Sequence, residues 1–186
     1  MKSVSALWGN VFKHETHDKS ISSIISRIPV FTSLSKTELR LIEKIVYLRS
    51  YHEGEVIFVE GEPGAGMYII ESGKVRICLG PYTDEEHEIA LLEPGDFFGE
   101  LALIDDHPRS ATAVALSSTR LVGFFRADLS TIINRTPRIG VKLQNNVMQI
   151  LVKRLRITDQ RLNDSYEQIR ELQVKIEART QAPAQE

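Results

Sequence analysis

Cysteine is almost missing from this sequence. Cys78 stands alone among 186 residues, which excludes an intrachain disulfide framework and a cysteine-rich zinc site. It falls in the β-like run Val-Arg-Ile-Cys-Leu and reads as a small buried hydrophobe. Charge of one sign is missing too. The formal net charge is −2, so no global attraction draws the chain to nucleic acid or to an anionic membrane. No apolar run approaches the length of a membrane span. The N-terminal Met-Lys-Ser-Val-Ser-Ala-Leu-Trp lacks the apolar core of a signal peptide. A soluble, cytoplasmic protein with no membrane association is expected.

Clustered metal ligands are also scarce. His14, Glu15, His17 and Asp18 lie close together, but no second ligand set supports them, and residues 1–20 read as a polar arm. His52, His87 and His107 fall near turns, without a His-x-His pair. Neither a metal site nor a catalytic triad is legible. The expectation is no enzyme, no metal and no cofactor.

The informative stretch is residues 95–114, Gly-Asp-Phe-Phe-Gly-Glu-Leu-Ala-Leu-Ile-Asp-Asp-His-Pro-Arg-Ser-Ala-Thr-Ala-Val. One carboxylate, Glu100, and one guanidinium, Arg109, stand nine positions apart around a short apolar turn. Arginine can fork two N–H donors onto phosphate oxygens, and glutamate can accept from a hydroxyl. Gly99 permits close backbone approach, and a one-turn helix after it would aim N–H groups at an anion. Each residue alone would read as a solvated surface charge. Together they suit a ligand with one phosphate charge and one sugar hydroxyl.

Around this stretch the chain divides into four parts. Residues 21–48 carry helical apolar spacing, broken near Pro29, and Ser35 with Glu38 forms a capping box. Residues 48 to about 126 switch to short β-branched and aromatic runs: 56–59, 67–70, 75–79 and 121–125. Turn signals separate them at Gly54, Gly61, Gly64, Gly73 and Gly95. Many short strands at even spacing mean a sandwich or barrel. From about Pro137 the chain turns helical to about Thr180, roughly 43 residues or a rod of about 64 Å. Residues 181–186 read as a disordered tail.

The long helix carries a heptad pattern. Met148, Leu155, Leu162, Ile169 and Ile176 take a positions, Leu151 and Leu172 take d, and Thr158 and Ser165 are polar exceptions at d. Arg154 at g can pair with Asp159 at e of a partner helix. The pattern predicts a parallel two-stranded coiled coil and a homodimer. The alternative is one helix folded back on its own barrel.

The blocks Phe-Gly-Glu-Leu-Ala-Leu and Pro-Arg-Ser-Ala-Thr resemble, in register, the phosphate-binding cassette of the cyclic nucleotide-binding domain family. The resemblance implies a β jelly-roll barrel over residues 21–137, with lead-in helices and a short hinge helix, followed by the dimerisation helix over 138–180. It implies a site made of Gly99, Glu100, Leu101, Ala102, Arg109, Ser110 and Ala111. Arg109 would hold the cyclic phosphate with backbone N–H groups and the Ser110 hydroxyl, and Glu100 the ribose 2′-OH. Ile89, Leu91 and Val75 are expected beside the base. Lys-Arg-Leu-Arg-Ile-Thr-Asp-Gln-Arg-Leu resembles the central helix of the family's transcription factors, which adds Thr158 and Asp159 as base contacts. A helix-turn-helix follows that helix in those relatives. None is expected here, nor DNA binding. The expected function is a sensor of cyclic nucleotide, cAMP before cGMP, that signals to an unknown partner protein through the C-terminal helix. The alternatives are a coiled-coil adaptor with a non-binding barrel, or a relative of the transcription regulators without their DNA-binding domain.

Overall fold

The computed structural model describes residues 21–80 and 87–180. The N-terminal arm with His14, Glu15, His17 and Asp18, and the tail 181–186, lie outside the described residues.

The helical lead-in is shorter and more broken than its apolar spacing predicts. Helix α1 spans Ile21–Ile25, a 3₁₀ turn Pro29–Phe31, and α2 Lys36–Glu43. Pro29 opens the 3₁₀ turn, where a missing N–H costs nothing. The capping box of α2 is present. Glu38 N donates to Ser35 Oγ at 3.3 Å, and Ser35 N donates to Glu38 Oε2 at 2.7 Å.

Among the described residues eight strands follow: β1 Tyr47–Tyr51, β2 Val56–Phe58, β3 Gly66–Ser72, β4 Val75–Leu79, β5 His87–Leu92, β6 Phe97–Phe98, β7 Thr112–Ala115 and β8 Thr119–Phe125. They form two four-stranded antiparallel sheets, ordered β1-β8-β3-β6 and β2-β7-β4-β5. The core lies between them. Ile70, Phe98 and Leu121 from the first sheet meet Val75, Ile77, Ala90, Leu92 and Ala113 from the second.

The other face of the first sheet is also buried, which explains why β3 and β8 read as continuous apolar runs rather than alternating ones. Met67 pairs with Phe124 and Ile69 with Val122, all fully buried. Phe31 of the lead-in meets Phe124 edge-on, with ring centroids 5.4 Å apart.

Helix α3 spans Arg126–Arg135 and α4 Pro137–Thr180. The compact unit that holds the barrel extends to Met148. Ile139, Leu143 and Val147 on one face of α4 are buried in it. One turn apart on that helix, Lys142 and Asn146 reach the lead-in. Lys142 Nζ donates to both Glu38 carboxylate oxygens at 2.8 and 2.9 Å. Asn146 Nδ2 donates to the Val30 carbonyl at 2.9 Å and Ser33 Oγ at 2.8 Å.

From Gln149 the chain forms a second unit. Leu155, Leu162, Ile169, Leu172 and Ile176 are more than half exposed there, most of them seven residues apart. Thr158 and Ser165 turn their hydroxyls back onto the helix, each donating to the carbonyl four residues earlier. Among the described residues no helix is long and apolar enough to cross a membrane, and no group of three or more His, Cys, Asp or Glu is placed to hold a metal ion.

Candidate functional site

The stretch from Phe97 to Ala111 folds around a cleft. After β6, Gly99 takes a left-handed conformation, φ 75°, and a 3₁₀ turn begins at Glu100 and ends at Leu103. Glycine occupies that region without steric cost. A side chain at Gly99 would also meet Arg109, because an ideal Cβ there falls 2.6 Å from Arg109 Nη1.

Arg109 is placed by its backbone and its head. Its N–H donates to the Glu62 carbonyl at 2.8 Å, and its own carbonyl accepts from Gly61 N at 2.9 Å. Nη1 donates to the Gly99 carbonyl at 3.1 Å. The guanidinium carbon stands 4.0 Å from the centre of the Phe58 ring. Phe58 itself sits among Tyr68 and Phe98, with ring centroids 6.3 and 5.7 Å away. Gly64 closes the far side: a Cβ there would lie 2.7 Å from Ala102 Cβ and 3.4 Å from the guanidinium carbon.

Both charged groups are withdrawn from solvent. Glu100 is fully buried and Arg109 is 9% exposed. Burial pushes the Arg109 guanidinium below its usual range, and the neighbouring Tyr68 and Glu100 push it back up. Arginine keeps its charge through such shifts. Arg109 Nε is buried without a hydrogen-bond partner among the described residues. A buried, under-satisfied guanidinium beside a cleft is costly unless an anion completes it.

The cleft holds about 660 Å³ of space, part of it open to solvent. Gly99, Glu100, Leu101, Ala102, Arg109, Ser110 and Ala111 all line it, so the structure brings together all seven cassette residues expected from the sequence. Thr158 and Asp159 belong to the second unit. Both are exposed on α4.

The residues expected beside the base need correction. Val75, Ile89 and Leu91 do not line the cleft; Phe58, Ile77 and Phe98 do. Strand pairing explains the difference. Val75 faces inward opposite Leu92 and is sealed in the core. Leu91 is opposite Arg76, on the other face of that sheet. Ile89 packs on the core cluster. Ile77, two residues along from Val75 on the same face, is the one at the cleft. Sequence reasoning also missed Asp105, His107 and Pro108 as lining residues. Their position inside the 95–114 stretch was the available signal.

Comparison with known proteins agrees with this geometry. The family described as "Cyclic nucleotide-binding domain" matches residues 48–136. The Cyclic AMP receptor protein of Thermus thermophilus is 37% identical over 135 residues, covering 73% of this chain and 61% of that protein. A CRP-like cAMP-activated global transcriptional regulator of Mycobacterium tuberculosis is 31% identical over 144 residues, covering 77% of this chain and 62% of the regulator. The crystal structure of a cyclic nucleotide-binding domain from Methylobacillus flagellatus matches with a TM-score of 0.67 at 26% identity, over 78% of this chain and 82% of that one. The chain thus spans less than two thirds of the length of these two curated relatives. Through residues 48–136 this chain belongs to the cyclic nucleotide-binding domain family.

Proposed function

We propose that the chain is a sensor that binds a cyclic nucleotide in the cleft between Glu100 and Arg109, without chemistry of its own. The observation that carries this reading is the pair itself: a buried carboxylate and a nearly buried guanidinium lining one cleft. Arg109 takes the cyclic phosphate and Glu100 accepts from the ribose 2′-OH. Phe58, Ile77 and Phe98 supply apolar surface. Ser110, exposed at the cleft beside Arg109, adds a hydroxyl.

The preferred ligand is cAMP over cGMP; a cyclic AMP receptor protein and a cAMP-activated regulator among the relatives support that order. The second unit carries the output. Its exposed apolar residues at seven-residue spacing suit a parallel coiled coil, hence a homodimer, whose helices a partner protein reads. Occupancy of the cleft biases that helix pair.

Calorimetry of the full chain tests the reading. Wild type should bind cAMP at micromolar affinity or better, and cGMP more weakly in competition. Arg109→Ala should lose more than about 2 kcal/mol, the scale of a charge-assisted fork. Glu100→Ala should lose less, and should narrow the preference for cAMP over its 2′-deoxy analogue. Equal affinity of wild type and Arg109→Ala would refute the site.

A further inference from the structure

The cleft carries a second basic side chain that the Glu100–Arg109 pair does not account for. His107 lines it, two residues before Arg109, and the His107 side chain is 86% exposed. The ring is oriented by its own loop. Nδ1 stands 3.2 Å from Asp105 Oδ2, and the His107 backbone N–H donates to Asp105 Oδ1 at 3.4 Å. The carboxylate therefore takes the Nδ1 side, and Nε2 is the nitrogen left to meet a ligand.

That orientation makes the protonation state decisive. A neutral imidazole with its proton on Nδ1 presents a lone pair at Nε2. A phosphate oxygen also presents lone pairs, so the two do not hydrogen-bond. The imidazolium carries N–H on both nitrogens and can give one to Asp105 and one to the phosphate.

Asp105 lines the cleft and meets His107. Asp106, the next residue, is held by Arg126 Nη1 of α3 at 2.6 Å, so its charge is already answered. Arg109 and Glu100 face the same cleft from the loop's end and from the 3₁₀ turn. With His107 neutral, the Asp105 carboxylate opposes an incoming anion. With His107 protonated, that opposition is cancelled.

We propose that His107 is a second phosphate-binding residue, active only as the imidazolium, so that cyclic nucleotide affinity rises as the pH falls. This rests on the nucleotide reading above.

Calorimetry with cAMP at about pH 8 and about pH 5.5, the range across which histidine changes charge, tests it on the full chain. Wild type should bind about three- to fivefold tighter at the lower pH, the scale of one added charge at contact in a wet site. His107→Gln should bind with no such pH dependence. His107→Lys, charged throughout, should bind at both pH values about as tightly as wild type does at the lower one. Thermal melting of each variant without ligand guards against misfolding. A His107→Gln variant with the wild-type pH slope would overturn the proposal, as would a wild type whose affinity is flat across the range. Failure of the wild type to bind at either pH would instead overturn the nucleotide reading itself.

Discussion

The Arg109 guanidinium lies over the face of Phe58, its central carbon 4.0 Å from the ring centre. The ring is electron-rich on that face and attracts the cation. It also covers one side of the guanidinium. Phe58→Leu keeps apolar volume and removes the ring. Cyclic nucleotide affinity should fall by about 0.5–2 kcal/mol, the range of such contacts. Titration calorimetry checks this, beside a melting curve that reports any loss of packing against Tyr68 and Phe98.

Gly99→Ala should separate binding from stability. Its left-handed backbone costs a non-glycine residue roughly 1–2 kcal/mol, which should appear as a lowered melting temperature. The new methyl falls 2.6 Å from Arg109 Nη1, closer than the two atoms can stand. The guanidinium must shift, and a group misplaced by an ångström loses much of its fork geometry. Affinity should therefore drop by more than about tenfold. Wild-type affinity in the Gly99→Ala variant would show that Arg109 does not need this seat.

Acid should loosen the start of α4. Lys142, then the Ser35 N–H, hold the Glu38 carboxyl at about 2, against an ordinary 4.5. Its folded value is depressed, so the stability it contributes is complete above about pH 4.5 and is lost as the pH falls from there toward 2. Lys142→Met removes the largest cause of that depression. The variant should be less stable than wild type at neutral pH, and the gap should close across that acid window. Urea unfolding at a series of pH values measures it. A gap that stays constant down to pH 2 would assign the Lys142 effect to packing of its methylene stem.

The coiled-coil proposal has its own test. Leu162 and Ile169 are both more than half exposed in the single chain. Sedimentation should report a wild-type dimer at micromolar concentration, with or without nucleotide. Replacing both by Glu puts like charges into the apolar seam and should give a monomer. The barrel should keep its affinity for ligand in that monomer if the cleft residues of the first unit suffice.

The cassette is legible in the bare sequence because its information is local. Gly99, Glu100, Arg109 and Ser110 lie within a dozen residues, and glycine, carboxylate and guanidinium each have few other reasons to recur at that spacing. The capping box at Ser35 and Glu38 is local in the same way. The runs at 56–59, 67–70, 75–79 and 121–125 announce β2, β3, β4 and β8 through β-branched and aromatic residues. Strands β1, β5, β6 and β7 are not announced. Tyr47–Tyr51 is polar and mostly exposed at a sheet edge, Phe97–Phe98 is two residues long, and Thr112–Ala115 carries small side chains.

What the sequence determined by itself was therefore chemistry held in short segments: the β-rich middle, the long C-terminal helix with its seven-residue apolar spacing, and a carboxylate and a guanidinium nine positions apart. Only the tertiary structure decided which apolar residues face the cleft. Strand periodicity says that Val75 and Ile77 share a face, but not which of them lies under the cassette. Sheet pairing places Leu91 opposite Arg76, away from the core, and brings Phe58 of β2 beneath an arginine 51 residues later. Likewise, Glu38 and Lys142 are 104 residues apart. Neither contact exists until the chain closes on itself, because cross-sheet and helix–helix distances depend on register and packing that no window of neighbouring residues contains.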